Sequence, residues 1–316
     1  MNSQSRSFAY GALTIAPIFW GGLFFAGKSA LKELDPFWFT FIRYLLASLL
    51  LALSLVIRGR TKWDVLGAKY TSLMLFGLLG YGMFGIMVFL GLRMSFPSHE
   101  AVIMATMPIT TLFIRAVFEK NPPPWWAWSV AVVALVGVGL VSGFSTDAGK
   151  ISIWSVLGDC TALIGTFGWI LYTRGQSKFL DLSVIEYTGF TALAALPGLA
   201  VIASLATALG FARLPTLSGI IIASPAIGYI VIFGTVSAGL AYNFGVRTLG
   251  APMGIVFINL VPISALVIGM AVGSAPSAGE ILGTLVVMAA LLIQARFMGE
   301  KVRKERATLL ARHQVE

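Results

Sequence analysis

Five ionisable side chains interrupt or border long apolar runs, and they are the first candidates for chemistry. Arg43, Asp159 and Glu186 lie within such runs, and His99 and Glu100 lie at the edge of another. A charge in hydrocarbon is expensive, so an ionisable residue there is a functional hypothesis until a structural partner explains it. Two chemistries fit: a proton relay through the carboxylates, or a fixed charge that meets a charged solute. Asp159, Thr166 and Thr173 recur every seven residues and place a polar stripe on one helix face. Asp159 and Glu186 also fall a turn or two from the start of their runs, where snorkelling or helix capping accounts for them as well. For Arg43, a tie to a loop carboxylate or helix end stands beside a solute carboxylate.

A second group offers apolar and aromatic surface. Trp20 and Trp169 occupy comparable depths in their runs, each beside a glycine, Gly21 and Gly168. Tyr81 and Phe84 share a helical face, Met104 and Met107 follow on the next run, and Tyr242 and Asn259 occupy later ones. A buried tyrosine hydroxyl needs a partner or water, and an amide in lipid faces inward. These eight residues are expected to border a solute path. Pro108 and Pro262 stand about ten residues into their runs; each removes a backbone donor and kinks its helix, as a hinge or as a packing bend.

Other chemistries are excluded. The single cysteine, Cys160, forbids an intrachain disulfide or thiolate cluster and reads as a packed small side chain. His99 and His313 are too far apart to suggest a metal site, so neither metal nor cofactor is expected. Gly22 to Ser29 fits a phosphate-binding loop by letter, and Gly80 to Gly85 fits a dinucleotide fingerprint. Both lie in apolar runs with no preceding strand, which that chemistry needs. Nucleic acid is not an expected partner, because the +9 net charge is spread over short connections and the tail.

The elements that must position these residues follow from composition. Of the 316 residues, 58% are hydrophobic and 11% charged, and mean hydropathy is +0.89. A soluble domain carries roughly 25% charged residues. A spanning helix needs about 20 apolar residues, and ten runs qualify: 8–27, 36–57, 70–92, 98–118, 126–144, 155–174, 183–206, 220–246, 251–273 and 278–298. The first exceeds a signal-peptide core and lacks a clear cleavage site, so it is expected to stay in the chain. Five tryptophans (Trp63, Trp125, Trp126, Trp128, Trp154) fall near run ends, as interface belts do. With the N-terminus placed inside, sixteen of the 22 Lys and Arg residues fall on the inner side, five outside, and Arg43 within a run. That bias predicts both termini in the cytoplasm of a bacterial-type inner membrane.

The halves resemble each other. A slide of 154 residues sets Gly91-Leu92-Arg93 on Gly245-Val246-Arg247, and Pro108-Ile109-Thr110 on Pro262-Ile263-Ser264. A slide of 146 sets Asp35 on Asp181. A unit with an odd number of spans inserts its second copy upside down, an architecture recurrent in secondary transporters. The expected divisions are 1–148, an inverted copy at 149–298, and a basic cytoplasmic tail at 299–316.

Pro36-Phe37-Trp38, the run Phe41 to Ala47 with Arg43, Gly91-Leu92-Arg93, Pro108 and Glu119 together resemble the EamA-type branch of the drug/metabolite transporter superfamily. Aromatic and methionine content is similar in particular to YddG-type aromatic amino-acid exporters. The resemblance implies ten helices in an inverted five-plus-five repeat, no cofactor and efflux of metabolites. It also implies that the first four helices of each half surround the solute path while the fifth and tenth lie outside. One departure is Gly273, which stands where a second copy of Glu119 belongs. The expected fold is thus all-α and polytopic. The expected function is export, by alternating access, of small metabolites with apolar or aromatic bodies, aromatic or bulky neutral amino acids above all. The path is expected between runs 3, 4, 8 and 9, gated by runs 1 and 6. The bilayer and a small solute are the expected partners, and no obligate protein partner is evident. A membrane enzyme acting on a lipid-linked substrate, or a channel, are the rival classes; the sequence offers neither a clustered catalytic constellation nor a filter motif.

Overall fold

The computed structural model describes residues 3–118, 124–144, 152–290, 292–293 and 296. Glu119, Pro122, Pro123, the polar connection at 145–150 and the basic tail at 299–316 lie outside the described residues. Described elements are all helical. They are α1 (Ser3–Ala30), α2 (Pro36–Arg58), α3 (Tyr70–Met94), α4 (Pro97–Ala105), α5 (Met107–Phe118), α6 (Trp125–Phe144), α7 (Ile153–Gly175), α8 (Val184–Ala208), α9 (Leu217–Leu249), α10 (Ala251–Ile258), α11 (Leu260–Ala271) and α12 (Ala278–Ala290), with a short helix at Trp63–Ala68.

The helix ends follow local chemistry. Asp35 accepts from the Phe37 amide at 3.1 Å, and Pro36 sits at the first position of α2, where its missing donor is harmless. Gly59 ends that helix with φ 71°, a left-handed conformation that a side chain would strain. Ser183 and Glu186 form a capping box at the start of α8.

Six helices are long and apolar enough to cross a membrane: α1, α2, α3, α7, α8 and α9. The pair α4 and α5, bent by 43° between Ala105 and Met107, makes a seventh. The remaining apolar helices, at Trp125–Val141, Leu260–Ala271 and Ala278–Ala290, are shorter. Among the described residues, six or seven of the ten predicted runs therefore meet the length and composition of a span. One cause is visible at Asn259, which splits the predicted run 251–273 into α10 and α11, each too short to cross alone.

Two of the long helices are interrupted by π-helical turns, Leu78–Met83 in α3 and Ile230–Ser237 in α9. Such turns make up well under 1% of residues in proteins and concentrate at functional positions. The packing is reciprocal. α1 lies against α9 and α11, α7 lies against α3 and α5, and α2 lies against α8. Close crossings are made at glycine: a β-carbon on Gly91 would lie 2.6 Å from the carbonyl of Gly158 on α7, and one on Gly245 would lie 2.4 Å from Leu13 on α1. α6 and α12 cross at Gly137 and Gly283, away from the central cluster.

Candidate functional site

The π-helical turns face one internal cavity. It encloses about 700 Å³ of space not filled by atoms, and the part wide enough for water holds about three molecules. Walls come from α1, α2, α3, α4, α7, α8 and α9.

One wall is an aromatic network with its polar groups satisfied. The Tyr81 hydroxyl donates to Tyr172 at 2.8 Å and lies 3.1 Å from the Thr191 hydroxyl. Tyr187 donates to the Tyr172 carbonyl at 2.7 Å and stacks on its ring at 5.2 Å between centroids. Phe84 and Trp169 are 5.2 Å apart, and Trp169 meets Trp20 edge-on at 6.0 Å. Trp20 turns its indole nitrogen toward the opposite π turn and donates to the Gly234 carbonyl at 3.0 Å. Such pairs contribute about 0.5–1.5 kcal/mol each beyond their buried area.

The facing wall carries the cavity's one charge. Arg43 is buried, and its Nε donates to the Thr235 hydroxyl at 2.7 Å. Thr235 in turn donates to the Ile230 carbonyl at 2.8 Å, five residues back, a carbonyl that the π geometry leaves within reach. The guanidinium carbon stands 4.8 Å from the Tyr44 ring centroid and 5.3 Å from that of Phe89. Nearby, Asn243 donates to Thr188 at 3.3 Å. This arrangement can hold a solute with one anionic group at the arginine and an apolar body against the rings.

Among the residues predicted to border a path, Trp20, Tyr81, Phe84, Met104 and Trp169 line the cavity. Tyr242 sits one layer behind, its ring 5.1 Å from Trp20. Met107 and Asn259 are buried but do not line it, and neither amide atom of Asn259 finds a hydrogen bond among the described residues. Pro108 and Pro262 are buried and also stand away from the lining. The breaks fall just before them, at Thr106 and Asn259. At Thr106 the chain tightens, its amide and hydroxyl both donating to the Ile103 carbonyl, at 3.0 and 2.7 Å.

The charge candidates separate. Arg43 is in the cavity. Glu186 is a cap: its carboxylate accepts from the Ser183 amide at 2.8 Å, the Ser183 hydroxyl at 2.6 Å and the Lys62 amide at 3.0 Å. Asp159 accepts from Ser95 and lies 3.0 Å from His99 Nδ1, outside the cavity. Two corrections follow. Cys160 is exposed on α7, where lipid tolerates a small side chain, and is not packed. Among the described residues, none from α10 or α11, the predicted ninth run, lines the cavity, whereas α2 and α8 do, because reciprocal packing draws both toward the centre. Tyr44, Tyr172 and Thr188 were not singled out by sequence; Tyr172 was findable, one turn after Trp169 on the same face.

Residues 7–143 match the model of the EamA-like transporter family. That likeness lies in the first half of the chain. Relatives extend the likeness over most of the chain. The uncharacterized transporter YrdR of Bacillus subtilis (strain 168) is 29% identical, covering 90% of this chain and 90% of its own length. The uncharacterized inner membrane transporter YedA of Escherichia coli (strain K12) is 26% identical over 84% of this chain and 82% of its own. A transporter of Archaeoglobus fulgidus is 27% identical over 83% and 87%. One solved crystal structure, at 18% identity and a TM-score of 0.61, covers 94% of this chain and 99% of that one, and so shares the fold. These likenesses support a membrane transporter.

Proposed function

We propose that the protein is a secondary transporter that exports small metabolites with an apolar or aromatic body, aromatic or other bulky neutral amino acids above all. The observation that carries this reading is the cavity itself, an aromatic wall facing a single buried arginine. The rings and Met104 match an apolar side chain, and the guanidinium matches one carboxylate. A cavity with room for about three waters must widen to admit an amino acid, which fits an occluded step of alternating access. Trp20, which bonds the second π turn and packs on Trp169, is suited to gating.

Ten spans in two inverted halves belong to the same proposal. The slide of 154 residues carries Leu78–Met83 onto 232–237, inside the second π-helical turn, and carries Thr106 to within one residue of the Asn259 break. Rare backbone features recurring at one offset support a duplicated unit more strongly than matched glycines and prolines do. On this reading α10 and α11 form one broken span, as α4 and α5 do, with Pro108 and Pro262 behind the hinges. The charge bias then puts both termini in the cytoplasm.

Proteoliposomes give the test. Phenylalanine, tryptophan or methionine should exchange faster than glutamate or a sugar phosphate, and Trp20→Ala or Trp169→Ala should slow that exchange at unchanged protein yield. Equal exchange of glutamate would overturn the substrate reading. A reporter fused after Lys62 should read cytoplasm and one near Lys150 the opposite side.

A further inference from the structure

Away from the cavity, where α3, α4 and α7 meet, lies a second group of ionisable side chains: Lys28, His99, Glu100 and Asp159. Most of their hydrogen bonds are accounted for. Lys28 has three N–H donors, and it directs them to the carbonyls of Leu92, Arg93 and Ser95 at 2.6, 3.2 and 2.6 Å. Asp159 is engaged by Ser95 and His99. Glu100 is different. It is 1% exposed, and among the described residues neither carboxyl oxygen has a hydrogen-bond partner. One oxygen lies against Gly91, which also faces the Gly158 carbonyl, at the crossing of α3 and α7.

A carboxylate in that position would be an unsolvated charge, for which burial without partners costs several kcal/mol or more. It would also sit beside Asp159, a second acid. Lys28, the nearest cation, offsets part of that cost but directs its three donors to backbone carbonyls instead, and the neutral carboxylic acid removes the charge from both penalties. Other charged groups on the packed elements are placed elsewhere: Arg93 reaches Asp35 at 2.9 Å, while Arg115 and Arg174 belong to the far ends of α5 and α7.

We propose that Glu100 is a proton-binding site, occupied by a proton in this conformation, and that losing the proton goes with separation of α3 from α7. On release, the O–H bond breaks, the proton passes to water and the carboxylate keeps the negative charge. The charge must then be hydrated, and a gap at the Gly91–Gly158 crossing, against which one carboxyl oxygen lies, brings water to it. α3 and α7 also carry Tyr81, Phe84, Trp169 and Tyr172, so opening that crossing moves one wall of the cavity. Proton occupancy and cavity shape are thereby one equilibrium. The proton site stands on its own geometry, and only its link to solute flux rests on the transporter reading.

Infrared spectroscopy of the full chain in liposomes tests the site without any solute. The carbonyl stretch of a protonated, dehydrated carboxylic acid should be present at neutral pH in the wild type and absent in Glu100→Gln. Its absence in the wild type, or its persistence in Glu100→Gln, overturns the site. Glu100→Met, which fills similar space with no acid, repeats the test if the amide variant folds poorly. Glu33→Gln, at an exposed carboxyl, should leave the band unchanged. In proteoliposomes with a pH gradient, Glu100→Gln should lower gradient-driven accumulation of phenylalanine by about tenfold or more. Undiminished accumulation would overturn the coupling while the spectrum still decides the site. No phenylalanine movement in the wild type would count against the proposed solute instead.

Discussion

The two π-helical turns have nearly the same backbone and opposite chemistry. Leu78–Met83 presents Tyr81, whose hydroxyl is tied into Tyr172 and Thr191. Ile230–Ser237 presents Thr235, whose hydroxyl holds an arginine. Around the first turn the packing is tight: a β-carbon on Gly80 would lie 2.6 Å from the Tyr172 ring. The second turn is also closely packed at Gly234, where a β-carbon would lie 2.7 Å from the Leu23 side chain, but just outside it a β-carbon on Gly228 or Gly239 would meet nothing within 4 Å. One backbone device thus borders the cavity twice, once with a tyrosine network and once with the threonine that holds a buried arginine, and Gly80 and Gly228 beside the two turns differ in the room around them. The difference teaches that likeness in chain geometry does not carry likeness in chemistry, which is set by a few side chains.

Four experiments break or sharpen that contrast. The largest effect belongs to Arg43→Met, which removes the charge while keeping much of the volume. Hydrogen bonds to charged groups contribute about 1.5–3 kcal/mol, so exchange of a carboxylate-bearing amino acid should fall about tenfold to a hundredfold. Unchanged exchange would assign the arginine to the fold alone. Next, Tyr81→Phe removes the donor to the Tyr172 hydroxyl while Thr191 keeps its bonds to the Tyr187 and Thr188 carbonyls, and should lower stability by about 0.5–1.5 kcal/mol, read from thermal unfolding in detergent. Gly80→Ala should cost about 1–3 kcal/mol by overpacking against Tyr172, whereas Gly228→Ala should be neutral or stabilise by about 0.4–1 kcal/mol. Equal responses at the two glycines would remove that distinction between their surroundings. The smallest effect is at the surface. Lys69→Ala breaks a pair with Asp181 at 3.3 Å between side chains that are 42% and 43% exposed, and should change stability by less than about 1 kcal/mol.

Much of this was legible in the sequence, and for identifiable reasons. Spanning helices are long apolar runs, so α1, α2, α3, α7, α8 and α9 announce themselves. Trp20, Tyr81, Phe84, Met104 and Trp169 were visible because amphipathic or aromatic residues in an apolar run have few roles. The π turns were not legible, because an i to i−5 hydrogen bond leaves no composition signal. With them went the Thr235–Arg43 bond, which joins residues 192 apart in the chain. Glu186 illustrates the converse case. As an ionisable residue in an apolar run it looked functional, yet the serine three residues before it already spelled a capping box. Glu100 stood at a run edge by sequence, where water is near; only the fold buries it behind α3 and α7.

The reciprocal packing has a consequence for how the chain is made. α1 emerges first, but the partners that cover its inner face, α9 and α11, lie more than two hundred residues later. At roughly 5–20 residues per second, the first helix waits on the order of tens of seconds in the bilayer before its partners exist. During that interval Trp20 and the glycines beside it face lipid or the insertion machinery. Truncated nascent chains that end before Leu217 should therefore leave α1 open to chemical crosslinking with insertase or lipid, and full-length chains should close it.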